Sequence, residues 1–192
     1  MNTPSHVAAS LIIWRKTFSL LAVTTLVLGA LLPDIPIFLF YFYQRFYLGI
    51  PETEIWTTLY FKENWQLFFD IFNSIPLTIG LIIIGHFTNK RLIFLFGASM
   101  FLHLLCDLVV HNDDAHRHFL PFTNWRFISP ISYWDPKHHG IIFSVLEFSF
   151  TVISSLYLAI KHHSKPMRII AVFTLLSYLT GISIALIIWS AH

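Results

Sequence analysis

Four stretches of this chain are long and apolar enough to cross a lipid bilayer, and they govern what the rest can be. A transmembrane helix needs about 20 mainly apolar residues, and residues 65–87, 91–110, 140–160 and 167–189 each supply such a run. A fifth run, from Thr17 to Tyr43, is interrupted by Pro33 and Pro36. A proline inside a helix removes a hydrogen bond and clashes with the preceding turn, so an end or a sharp kink is expected near Asp34. Only 11% of the residues are charged, against about 25% in a soluble domain. The expected fold is therefore all-α: one polytopic helical membrane domain over residues 1–192, with about five spans plus a short N-terminal re-entrant helix.

The N-terminal arm follows from length. Residues 6–14, "HVAASLIIW", are apolar but too short to span, and Arg15-Lys16 follow directly. A cleaved signal peptide fits poorly, since the positive residues come late and Leu28 and Ala30 make a poor cleavage site. The preferred reading is a helix that enters the membrane, turns near Arg15-Lys16 and returns as the helix ending at Asp34. At about 1.5 Å per residue the two arms are roughly 14 and 26 Å long, so with tilt His6 and Asp34 reach similar depth.

Orientation rests on short basic loops. "NKR" at 89–91 and "KHHSKPMR" at 161–168 fall at alternate ends of successive spans, on one common side with Arg15-Lys16. By the positive-inside rule that side is cytoplasmic. The 111–139 loop then lies on the non-cytoplasmic face, where its own basic residues are offset by Asp113, Asp114 and Asp135. His86, His162, His163 and His192 are read as interfacial. A net charge of +2, scattered along the chain, gives no nucleic-acid footprint. Cys106 is the sole cysteine, so a disulfide or a cysteine metal knuckle is excluded.

Against this oily background the polar residues are concentrated. His103 and Asp107 are four apart inside an apolar helix and so share one face, with His111 continuing that face. Ionisable residues within a span are costly and mark functional sites by default. "HNDDAHRHF", residues 111–119, follows at once, and six of the eleven histidines lie between 103 and 139. Imidazole and carboxylate are the ligands of zinc and of mixed N/O metal sites. Asp34, Asp70 and Glu147 also lie in or beside apolar helices; if they converge, they form an anionic cup suited to a divalent cation. Structural ion pairs with Arg117 or Arg126 are the alternative. No GxSxG elbow occurs, and Cys106 sits where a thiolate is disfavoured.

"TPSHVAAS" at 3–10, "GALLPDIP" at 29–36 and "HLLCDLVVHNDDAHRHFLPFTNWRFISPISYWDPKHHG" at 103–140 together resemble the YdjM-type membrane-bound metal-dependent hydrolases. The likeness covers roughly residues 3–36 and 65–147. It implies a bacterial inner-membrane protein whose His6, Asp34, His103 and Asp107 bind a metal, in a motif style similar to all-α zinc phospholipases C. One departure stands out: Asn73-Ser74 occupies the place of a His-Ser pair, which removes one ligand.

The chemistry expected is hydrolysis of a phosphoester or lipid-like substrate by a water activated on a divalent metal, zinc foremost and manganese second. His6, Asp34, His103, Asp107 and His111 are the candidate ligands. Asp113, Asp114, His116 or His118 is the candidate general base, and Arg117 or Arg126 the candidate phosphate clamp. Trp125, Tyr133 and Trp134 suit an interfacial belt against membrane lipids. Two other functions stay open: a metal-binding transport component, with His86 and Glu147 as its path, and an assembly protein docking through the Phe-rich 38–47 segment.

Overall fold

The computed structural model describes residues 1–190, with side chains to residue 184, so His192 lies outside the described residues. The chain is all helical, with no strand among the described residues. Helices α6 (Ile75–Phe87) and α7 (Arg91–Leu108) form one antiparallel pair, and α8 (Gly140–Lys161) and α9 (Lys165–Ser190) another. Four segments are long and apolar enough to cross a membrane: Glu63–Phe87, Arg91–Leu108, Gly140–Lys161 and Lys165–Ile184. The first joins α5 (Glu63–Phe72) to α6 across a break at Asn73, where Pro76 sits in the first turn of α6 and Ser74 caps it by accepting from the Leu77 N–H. Proline is tolerated there because first-turn N–H groups lack a helical partner anyway.

The proline-interrupted run behaves as its sequence predicts. Helix α2 (Leu20–Leu31) stops before Pro33, α3 (Ile35–Phe42) follows, and the bent pair Leu20–Leu31 and Ile35–Tyr47 turns through 60°. Asp34 stands at this corner. Ser19 caps the other end of α2, accepting from the Ala22 N–H.

Helix α1 (Thr3–Ile13) is short, yet it lies at the centre of the bundle, buried continuously from Ser5 to Leu11. Val7 and Leu11 pack with Val23 and Ala30 of α2, Leu158 of α8, and Met167 and Ala171 of α9. Small polar residues let the backbones approach, as in membrane helix packing generally. Ser10 and Ser99 of α7 share a hydrogen bond of 2.6 Å, and Thr151 of α8 donates to Ser5 at 2.8 Å. Gly29 serves the same end: a Cβ there would fall 2.5 Å from the Phe96 carbonyl oxygen of α7.

The basic turns gather at one end of the bundle. His162 donates through Nε2 to the Arg15 carbonyl and Ser164 to the Phe18 carbonyl, and Arg15, Lys16 and Arg91 line one cavity. The loop 109–139 closes the other end. Beside it Phe40, Ile55, Leu59, Tyr60 and Phe69 form a second core, so the Phe-rich segment is partly spent on packing: Phe40 is buried, while Phe42, Phe46 and Tyr47 stay exposed.

Candidate metal centre

His103 and Asp107 lie one turn apart on the buried face of α7. The His103 Nδ1 is 2.6 Å from the carbonyl oxygen of Ala30. A carbonyl only accepts, so Nδ1 carries the hydrogen and, in the neutral ring, Nε2 carries the lone pair. That nitrogen lies 2.9 Å from Asp107 Oδ2 and 3.6 Å from Asp34 Oδ1. His6 arrives from α1 and stacks on His103, ring centroids 3.5 Å apart and 8° from parallel, with Nε2 3.0 Å from Asp107 Oδ1. These close approaches lack hydrogen-bond alignment. The His103 Nε2 and both ring nitrogens of His6 are buried without a hydrogen-bond partner.

Electron-rich atoms that converge without protons between them repel, and buried polar atoms left unsatisfied are expensive. Protonating both imidazoles would place two positive rings face to face. Asp107 Oδ1 also accepts from the Met1 ammonium at 2.7 Å. At the unpartnered imidazole nitrogens a divalent cation would relieve the conflict, and the group could hold one, since ligand atoms of His6, His103 and Asp107 lie within 4.8 Å of one another, all three residues buried. The Ala30 carbonyl holds His103 by its distal N–H, as outer partners of ligating histidines do. Thr3 plays a comparable part for Asp34, donating at 2.6 Å to Oδ2 and leaving Oδ1 toward His103.

His111, just past the end of α7, keeps to the same face because its N–H still bonds the Asp107 carbonyl. Its Nε2 is 3.3 Å from Asp107 Oδ1 and its Nδ1 3.1 Å from Asp114 Oδ2. Burial disfavours the charged ring, but the two carboxylates outweigh it and raise the pKa to about 9. Asp34, Asp107 and His111 share a cavity of about 180 Å³ with His116, Tyr133 and Asn2. That is room for several waters or a small polar group.

No protein-family model, curated protein or solved structure matches the chain. The site therefore stands on its own geometry.

The acids do not all converge. Asp70, itself fully buried, is the hub of a separate network: Arg117 donates to it from its backbone N–H at 3.1 Å and from Nε, His116 Nδ1 lies at 3.0 Å, and Arg126 Nη2 at 3.6 Å. Arg117 also donates to Glu63 at 2.6 Å. Structural ion pairing thus describes Asp70, and Arg117 is turned to Asp70 and Glu63 instead of toward the His103 cluster. Glu147 is likewise elsewhere, its Oε1 accepting from the backbone and side chain of Asn2 at 2.8 and 3.0 Å. His86 is exposed at the far end of α6, so the two residues considered for a transport path do not meet.

Among the other loop candidates, Asp113 is exposed and Asp114 is engaged with His111. His118 is anchored by Nδ1 to the Asn73 carbonyl at 3.0 Å, and burial, then the neighbouring His116, lower its pKa to about 4. Asn73 itself donates to the Phe69 carbonyl at 3.1 Å, ending α5. The sequence reading missed Thr3, Asn2 and the Ala30 carbonyl. Thr3 opens, and Asn2 precedes, a motif read for His6 alone, and a backbone carbonyl leaves no mark in a sequence. Tyr133, read as an interfacial aromatic, lines the polar cavity instead.

Proposed function

We propose that this chain is a membrane-embedded zinc-dependent hydrolase acting on a phosphoester or lipid-like substrate. One observation carries the metal: the His103 lone pair, fixed by the Ala30 carbonyl, faces two carboxylates with nothing between. His6, His103 and Asp107 would hold the ion, with Asp34 offering a further oxygen; two imidazoles and carboxylate oxygens form a set that suits zinc, with manganese the second choice. When bound, such an ion supplies Lewis acidity and lowers the pKa of water toward neutrality.

The residues of the chain supply the rest. His111 lines the same cavity, held by Asp114 through one ring nitrogen while the other faces Asp107; the two carboxylates keep the ring protonated, so it is placed to give a proton to the departing alcohol oxygen and to be reprotonated from the attacking water. Net, the water oxygen bonds to phosphorus, the bond from phosphorus to the alcohol oxygen breaks, and one proton ends on that alcohol. The resemblance to YdjM-type hydrolases over roughly residues 3–36 and 65–147 agrees with this reading. The basic turns at the opposite end of the bundle support a non-cytoplasmic placement of the site by the positive-inside rule.

The test is elemental analysis of the detergent-purified protein beside a His103→Ala/Asp107→Ala double variant. About one zinc per chain in the parent, lost in a variant that still folds, supports the centre; phosphoester and phospholipid hydrolysis are then assayed on the zinc-loaded protein. A parent that takes up no metal on reconstitution overturns the reading.

A further inference from the structure

A groove of about 500 Å³ runs between α8 and α9 beneath the 133–136 loop. Its walls are apolar: Ile141, Val145 and Phe148 on α8, Tyr178 and Ile182 on α9. From Gly140 to Phe148 it descends eight residues of helix, roughly 12 Å into the membrane-spanning region. Ile141 and Val145 are more than half exposed, so the groove opens sideways to the bilayer. Two features separate it from an ordinary seam between helices. At Gly181 the wall has no side chain, and a Cβ built there meets nothing within 4 Å among the described residues. At its head the groove is bounded by Asn2 and Tyr133, which also line the polar cavity on Asp34, Asp107 and His111. Glu147 fixes Asn2 at that boundary through two hydrogen bonds.

We infer that this groove is the acyl-chain subsite of the enzyme, and that its occupant is a phospholipid entering laterally from the bilayer. An apolar chain seated against Val145, Phe148 and Ile182 would bring the ester end of the molecule to Asn2 and Tyr133, at the mouth of the cavity that holds the metal-binding residues. A long chain loses no contact with apolar surroundings in passing from lipid into the groove, while the polar head exchanges water for the cavity. The missing side chain at Gly181 sets the width of the slot and so the chains it admits. The inference rests on the hydrolase reading for what becomes of the head group, but not for the seat of the chain.

Photolabelling separates the two. A phosphatidic acid carrying a diazirine in its acyl chain is incorporated into nanodiscs with the full-length protein, and labelled peptides are compared between the parent, Gly181→Leu and Val145→Trp. The parent is expected to label preferentially on residues 141–148 and 178–182, with at least a fivefold loss in both variants while their zinc content stays at the parent level. Labelling spread evenly over all lipid-facing helices and indifferent to both substitutions overturns the subsite, whatever the activity. Groove labelling by a zinc-loaded parent that hydrolyses no phosphoester overturns the hydrolase reading and leaves the subsite standing. Where hydrolysis is measurable, the ratio of long-chain to short-chain turnover falls at least tenfold in Gly181→Leu.

Discussion

His6 and His103 lie face to face, ring centroids 3.5 Å apart, each with its Nε2 within 3.0 Å of a different oxygen of Asp107. One side chain comes from a buried N-terminal arm and the other from the last third of α7. Their shared carboxylate makes Asp107 the residue on which the centre depends.

Asp107 and Asp70 are both buried; Asp70 is met by arginines, and Asp107 by His6, His103 and the Met1 ammonium. Asp107→Asn is therefore expected to reduce bound zinc below a tenth of the parent level. Asp70→Asn should leave zinc near one equivalent while costing about 1–3 kcal/mol of stability, because it removes the charge that Arg117 and Arg126 share and leaves Arg117 with Glu63 alone. Zinc analysis and thermal unfolding of both variants in one detergent check the contrast. Equal zinc loss in the two would merge the clusters into one functional unit.

Gly29 lets α2 approach α7 closely enough for the Ala30 carbonyl to reach His103. Gly29→Ala should cost about 1–3 kcal/mol through overpacking. It should also weaken zinc binding, as the carbonyl is pushed off the ring. Competition with a chelator of known affinity gives the second quantity, and unchanged affinity would show that the carbonyl is dispensable.

Thr3→Val removes the hydroxyl that orients Asp34 while keeping its shape. Loss of such an outer partner lowers metal affinity by about 10–100-fold. The same competition assay reads it, with thermal stability expected to change little in the metal-free protein.

The low pKa of His118 gives stability a definite pH dependence. Its folded value of about 4 lies below the 6.5 of an ordinary histidine, so the unfolded chain takes up the proton first as pH falls. The contribution is fully present above pH 6.5 and declines from there to about pH 4, a total of about 3 kcal/mol at 1.36 kcal/mol per pH unit. His118→Asn should flatten the difference between unfolding curves recorded at pH 7 and pH 4.5. A parallel decline in parent and variant would assign the effect to another histidine.

Much of this architecture is legible in the amino-acid sequence. The apolar runs locate the spans, Pro33 and Pro36 place the corner at Asp34, and the four-residue spacing puts His103 and Asp107 on one face. The length of the first arm brought His6 to the depth of Asp34, and the Thr3–Asp34 hydrogen bond joins the two segments. What spacing alone did not reveal was the division of the acids. Asp70 meets Arg117 across 47 positions, a partnership set by how the loop folds back on α5 and not by any helical period. Arg117, Asp113 and His118 looked alike in a nine-residue polar segment, yet the loop turns them in three directions.

The placement of α1 at the heart of the bundle also orders events during synthesis. His6 leaves the ribosome 97 residues ahead of His103, an interval of roughly 5–20 s at about 5–20 residues per second. Through that time the arm is in place without the helix that completes its ligand set. The centre cannot be assembled until α7 has been translated and drawn against α1 and α2. His6, Asp34, His103 and Asp107 thus come together only once the chain has been made as far as α7, and a metal ion held there would record that the N-terminal half of the protein was threaded correctly.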